Sequence, residues 1–376
     1  MPGEAAATQE RPRWPDGFVG GEEDRRALLV LSALQGITPR RLIEVAAVAG
    51  SAAATLAEVR EGRAGSANDQ RFARSIDPDR IAAAASACGA RVVTWGSPEY
   101  PSALAHVHDP PSLLYVVGGG LPDPTRAVAV VGSRRCTGLG REIARSIGRG
   151  LSLAGLTVVS GAARGIDSAA HEGALDGARE GGDGTVAVLG CGIDVGYPSR
   201  RLLERICGDG ALVSEFAPGT PPEPHRFPAR NRIVAGLAGA TVVVEGAEGS
   251  GSMITAEHAM EFGRDVFAVP GAVNNPLSSV PLQLIRDGAT MIRGVEDLLL
   301  DLGAGLAPAP VEERADLSAA ERAVLRELAG PTLPERVAGA LGMRVPEVVA
   351  VLMGLELRGL VRSVGGRFES TLEAPR

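Results

Sequence analysis

Residues 225–232 read HRFPARNR, a stretch with three arginines, a histidine and a phenylalanine and no acid among them. Pro228 suits the first turn of a helix that continues as RNRIVAGLAGA, because its fixed φ and missing N–H cost nothing there. Arg230 and Arg232 then fall in that turn, where the helix dipole favours an anion. Phe227, just ahead of it, is of a type that stacks on bases when a protein grips a single strand without reading its sequence. A basic run taken alone is more often a solvated face.

Two further stretches have the same chemistry. In GSRRCTGLG (132–140), the amides around Gly132 and Ser133, with Arg134, form an anion cradle at a strand-to-helix turn. The plainer reading is a tight turn with solvated arginines. In EGAEGSGSMITAEHA (245–259), Gly251 and Ser252 bring free amides and a hydroxyl to a helix N-terminus, which again suits phosphate; ordinary serine capping is the alternative. Neither stretch is G-x-G-x-x-G, and no G-x-x-x-x-G-K-[ST] occurs, which argues against a nucleotide-hydrolysing phosphate loop. One small phosphate does not need three such loops, whereas a linear polyphosphate does.

SGAARGIDSAAH (160–171) offers Asp167 and His171 on one helical face, a spacing open to general-base chemistry or to a capping carboxylate and a locally packed histidine. No nucleophile accompanies them, and the bland reading is preferred. His106 and His108 in HVHDPP lack a supporting Cys or acid cluster, so they are read as solvent-exposed. No catalytic residue, metal or cofactor is assigned.

Valine-rich runs must position these loops. AVAVVG (127–132), LTVVSG (156–161), TVAVLG (185–190), ALVSE (211–215), ATVVVEG (240–246), DVFAVPG (265–271) and ATMIRG (289–294) alternate with helical stretches. Runs apolar on both faces suit a parallel sheet, and the alternation predicts a doubly wound α/β fold with its site at the carboxyl edge. Residues 24–60 read as a small helical unit broken at Gly36 and Gly50, with 61–70 as a loop. Beyond a linker-like GAGLAPAPVEERAD (303–316), three helices and a hairpin around Gly365-Gly366 give winged-helix patterning. Its third helix, PEVVAVLMGLELRG, is mostly apolar, with only Arg344, Arg358, Arg362 and Arg367 basic nearby; this favours protein contact or capping over duplex reading.

The 376 residues carry a formal charge of −7, which lowers the expectation of nucleic-acid binding without excluding it. An arginine-lined cleft dominates locally, within a Debye length of roughly 8 Å. The four cysteines include no C-x-x-C pair and are expected to be reduced thiols. The polar, Pro-rich start reads as a loose tail with no signal peptide, and no apolar run has membrane-spanning length, so a cytoplasmic location is expected.

VGSR (131–134), SGAARGIDSAAH (160–171), GTVAVLGCGIDVGYP (184–198), FPARNRIVAGL (227–237), SGSMITA (250–256) and FAVPG (267–271), in that order, resemble the DNA processing protein A family (DprA, also called Smf). The resemblance implies an extended Rossmann-like, doubly wound, mainly parallel sheet, with an N-terminal helical SAM-like domain and a C-terminal winged-helix domain. In those terms the chain divides into a disordered tail (1–20), the SAM-like domain (21–76), the Rossmann-like DNA-binding domain (77–302), a linker (303–316) and the winged helix (317–376). It further implies a non-enzymatic dimer that binds single-stranded DNA and delivers it to the RecA recombinase, past single-strand binding protein, in natural transformation. The implied DNA contacts are Gly132, Ser133, Arg134, Phe227, Arg230, Asn231, Arg232, Gly251 and Ser252. Val280 and Leu282 depart from the family pattern, which tends to carry Gly and then Asn or His there, and Ala162 replaces the usual Leu. The competing reading is a nucleotide-phosphate hydrolase resembling lysine-decarboxylase-like phosphoribohydrolases. Thr255 stands where that group's catalytic glutamate would. A purely structural docking protein is the third, fairest for the winged-helix segment.

Overall fold

Nine strands run in the order β1-β2-β6-β5-β4-β3-β7-β8-β9 in a computed structural model that describes residues 13–303, 317–328, 332–357, 360–364 and 366–370. They are β1 (Arg91–Thr94), β2 (Leu113–Gly118), β3 (Ala127–Val131), β4 (Thr157–Ser160), β5 (Thr185–Val188), β6 (Ala211–Ser214), β7 (Ala240–Val243), β8 (Asp265–Ala268) and β9 (Thr290–Met291). From β6 to β9 every pairing is parallel, and β3 to β7 are buried along their whole length except at Thr157, where β4 begins, as their Val/Ala-rich runs require. The sequence reading missed β1 and β2, which extend the sheet antiparallel from β6. Each remaining strand ends before the residue that closes its motif, Glu215 for β6 and a Gly for the others, because those residues leave the ladder to build loops.

Helices α6 (Gly138–Leu153), α7 (Ile166–Arg179), α8 (Arg200–Asp209), α9 (Arg226–Gly236), α10 (Gly251–Glu261), α11 (Ser279–Arg286) and α12 (Val295–Asp301) cover the sheet. One core lies between the sheet and α6, α7 and α12, and a second on the α9–α10–α11 side.

Five helices precede the sheet: α1 (Glu22–Ser32), α2 (Pro39–Ala49), α3 (Ala52–Arg60), α4 (Ala67–Ser75) and α5 (Pro78–Ala87). The breaks at Gly36 and Gly50 hold, with Gly50 capping α2 at φ +85°. The loop expected over 61–70 is shorter, because a Ser66–Asp69 capping box starts α4 within it. These helices share a hydrophobic core with Tyr115 and Leu189 of the sheet region, and the Ser32 hydroxyl lies 2.9 Å from that of Tyr115. The expected loose tail is anchored from Arg13 onward: Trp14 and Phe18 are buried and stacked at 4.6 Å, and Trp14 Nε1 donates to Pro110 O at 2.8 Å. Residues 1–12 and 304–316, the latter most of the expected linker, lie outside the described residues.

The chain divides into two compact units, Met1–Ala304 and Gly305–Arg376. The second holds α13 (Ala319–Arg326), α14 (Pro334–Leu341), α15 (Val345–Leu357) and the antiparallel hairpin β10 (Val361–Val364) and β11 (Arg367–Ser370), with Thr332 bridged to Phe368: a winged helix with its own apolar core. On α15, Val345 and Met353 are exposed, and the Arg344 guanidinium is engaged by Glu347, an apolar-to-neutral surface for the helix that would enter a groove. Arg358, Gly365 and the side chain of Arg362 lie outside the described residues. Among the described residues no single helix is long and apolar enough to cross a membrane.

Candidate nucleic-acid interface

From β3 the chain winds one way through β4, β5 and β6, then returns beside β3 and winds the other way through β7, β8 and β9. Loops leaving the carboxyl ends of β3 and β7 therefore diverge, and a crevice opens at this switch point. A cavity of about 730 Å³ occupies it. Every expected contact residue except Arg232 lines it: Gly132, Ser133, Arg134, Phe227, Arg230, Asn231, Gly251 and Ser252.

Backbone packing shapes the first wall. Ser133 N donates to Glu245 O at 2.7 Å, and the Glu245 carboxylate accepts from Thr137 N at 2.8 Å and Thr137 Oγ1 at 2.6 Å. These bonds hold the GSRRCTG turn to the end of β7. Gly132 must be glycine, because a Cβ there would come within 2.7 Å of Glu245 O and of Ile166 Cγ1. Gly165, at φ +88°, lets the next loop pass against Ser133 O. Arg134 is exposed at the rim.

The second wall is α9. Its first residue is Arg226, so Phe227 and Pro228 both fall in the first turn. Arg230 is only 3% exposed, with Nη1 donating to Val188 O, and its guanidinium fills the space that a Cβ on Gly161 would need. Burial pulls its pKa down to about 10, with Asp167 opposing that shift. Asp167, equally enclosed on the cleft floor, is pushed up to about 6 by burial against the pull of Arg230. Arg230 is thus a cation at the base of the cleft, recessed behind Arg134.

Arg232 is a correction. It points away from the cleft, where Nη1 and Nη2 donate to the two Glu215 carboxylate oxygens at 2.6 Å each, Nε donates to Asp109 O at 2.9 Å, and Nη1 also donates to Ala229 O at 2.7 Å. Two residues apart on a helix is more than half a turn, so Arg230 and Arg232 cannot face the same ligand. Nor is the run without acids in space, since Glu223 pairs with Arg226 and His225.

The third wall is the N-terminus of α10. Asn231 Nδ2 donates to Gly251 O at 3.0 Å, which ties α9 to this turn and spends one of the two amide protons expected for a ligand. The Ser250 and Ser252 hydroxyls bond each other at 2.7 Å. Val280, one of the departures, is buried in the core below, its N–H donating to Gly246 O at 3.0 Å.

Three walls of amide, hydroxyl and guanidinium groups make an open anion trough. The family model for DNA recombination-mediator protein A matches residues 91–303, and that for the DprA winged helix domain matches residues 307–367. The Protein Smf of Escherichia coli K12 is 38% identical over 284 residues, 72% of this chain and 74% of its own. The chain belongs to the DNA recombination-mediator protein A family.

Solved structures agree. The crystal structure of DNA processing protein A from Streptococcus pneumoniae is 34% identical and superposes with a TM-score of 0.62 over 75% of this chain and 98% of its own. A structure from Helicobacter pylori, described as giving insight into the single-stranded DNA binding mode of its DNA processing protein A, is 29% identical with a TM-score of 0.50, covering 56% of this chain and 95% of its own. The Rossmann-like sheet and winged helix are therefore those of the mediator family.

The residues singled out for acid–base chemistry serve other partners. His171 is fully buried, its Nδ1 2.8 Å from Thr185 Oγ1, and no hydrogen bond joins it to Asp167 among the described residues. Asp167 instead accepts from Ala163 N at 3.3 Å. Thr255 Oγ1 turns back to Gly251 O at 3.2 Å. His106 Nδ1 contacts Ser102 O at 2.8 Å and His108 Nε2 lies 3.3 Å from Glu261, so those two histidines serve different partners.

Three residues at the mouth escaped the sequence reading. Arg135 and Arg164 are exposed there and carry no carboxylate partner among the described residues. Both stood inside quoted motifs, GSRR and SGAARGID, so an arginine count at each strand end would have found them. Tyr197 lies 5.7 Å from Phe227, centroid to centroid, and it too stood inside a quoted motif, GTVAVLGCGIDVGYP.

Proposed function

We propose that the chain binds single-stranded DNA in the trough at the β3/β7 switch point. The observation that carries the reading is that Arg134, Arg230, Phe227, Asn231 and Ser252, from three separate loops, line one open cleft. Phosphates lie along the amides and arginines, and the aromatic at the rim takes bases in a sequence-tolerant way. No residue in this reading performs catalysis. A cytoplasmic dimer placing two troughs along one strand, protecting incoming DNA and passing it to the RecA recombinase past single-strand binding protein during natural transformation, is the wider role we propose; family membership supports it.

Fluorescence anisotropy with a labelled oligo-dT and a labelled duplex of equal length tests the core of this reading. We expect single-strand binding that weakens steeply with salt and exceeds duplex binding. Equal affinity for the two, or none for either, would overturn it. Incubation with nucleoside monophosphates, followed by detection of free base, tests the hydrolase alternative, and no release is expected.

A further inference from the structure

The geometry points to Tyr197 as a second base platform, beside the phosphate trough, for the strand proposed above; the inference rests on that reading and deepens it. Phe227 is a poor platform by itself. The Arg134 guanidinium already lies over its ring, 4.8 Å from the centroid. Its edge packs so closely on Gly190 that a Cβ there would come within 2.8 Å of Cδ1. Half-buried and partly covered by Arg134, Phe227 offers a base only part of its ring and also serves as a wall.

Behind that wall is a second cavity of about 350 Å³, which shares Arg134, Arg135, Gly161, Ala163 and Phe227 with the trough and is lined in addition by Tyr197 and Pro198. The Tyr197 ring is inclined 39° to that of Phe227, and the residue is 41% exposed. Its lining sets two aromatic rings, Leu189 and Pro198 among three arginines, Arg134, Arg135 and Arg164. Such a slot suits the flat, partly apolar body of a base, with its phosphate left next door.

The loop that leads to Tyr197 is tied down. Gly192 N donates to Thr220 O at 2.8 Å, Asp194 Oδ1 accepts from Gly219 N at 2.7 Å, and Ile193 is buried between them.

The test compares wild type, Tyr197→Ala, Tyr197→Phe and Tyr197→Trp by anisotropy, using oligo-dT and an abasic oligomer with the same number of phosphates. Tyr197→Ala should bind oligo-dT about tenfold more weakly, the order of one lost stacking contact, with its salt dependence unchanged because no charge is removed. Tyr197→Phe should match wild type, Tyr197→Trp should bind with quenched fluorescence, and the preference for oligo-dT over the abasic strand should shrink only in Tyr197→Ala. Tyr197→Ala binding like wild type, or keeping the full preference for bases, overturns the inference while the DNA reading stands. Wild type binding neither strand overturns both.

Discussion

Arg232 and Glu215 meet through two parallel hydrogen bonds of 2.6 Å, with side chains only 6% and 11% exposed. A bidentate pair this enclosed is costly to break singly, because the survivor is left as an uncompensated buried charge. Arg232→Met should lower unfolding free energy by roughly 3–5 kcal/mol in urea denaturation, and Glu215→Leu combined with Arg232→Met should recover much of it. A single variant of unchanged stability would mean that the pair is open to water.

Arg134, exposed at the rim, should behave oppositely. Arg134→Ala should leave the urea midpoint nearly unchanged and weaken single-strand binding alike for all sequences. The slope of log K against log salt should fall by about 1, as for one lost phosphate contact. An unchanged slope in a salt titration would remove Arg134 from the trough.

Glu245 acts through the loop it anchors. Glu245→Ala deletes the acceptor for Thr137 N and Oγ1, and hydrogen bonds to a charged group contribute about 2 kcal/mol each. We expect a lower melting temperature and weaker DNA binding with the salt slope intact, since Glu245 itself meets no phosphate. A reduced slope would show instead that the loop's arginines had been lost from the contact.

Acid stability follows from two buried groups of opposite sign. Burial pushes His171 from its ordinary 6.5 down to about 3, with Arg230 adding to the effect. The unfolded chain therefore takes up a proton that the folded one refuses, and stability is full above about 6.5 and lost as pH falls toward 3. Asp167, raised from 3.8 to about 6, contributes the reverse: its stability is present below 3.8 and lost as pH rises through 6. Urea midpoints between pH 6.5 and 4 should fall for wild type and fall less for His171→Gln.

DNA affinity should carry the Asp167 signature. A phosphate seated near Arg230 further disfavours the Asp167 carboxylate, so binding takes up protons above pH 6 and weakens as pH rises from 6 to 8. Asp167→Asn should flatten that dependence, as read by anisotropy at matched ionic strength.

Much of the architecture was legible because parallel strands must be apolar on both faces: each Val/Ala run from β3 to β8 declared itself, and the motif glycines marked where the ladder stops. β1 and β2 were missed because LLYVVG lies outside the alternating pattern and pairs antiparallel to a strand distant in sequence. Gly132, Ser133, Arg134 and the α10 turn were readable for the same reason as the strands, since they follow them directly.

Residue type and spacing by themselves determined that three strand ends carry groups fit for phosphate, because that chemistry is local to each loop. Only the tertiary structure decided which arginines face the ligand. Arg230 and Arg232 differ by two positions and identical chemistry, yet one lines the trough and the other is spent on Glu215, seventeen residues earlier. It likewise brought Tyr197 against Phe227 across thirty residues of chain. Long-range packing sets the direction of a side chain, and direction is what turns a basic run into a binding surface.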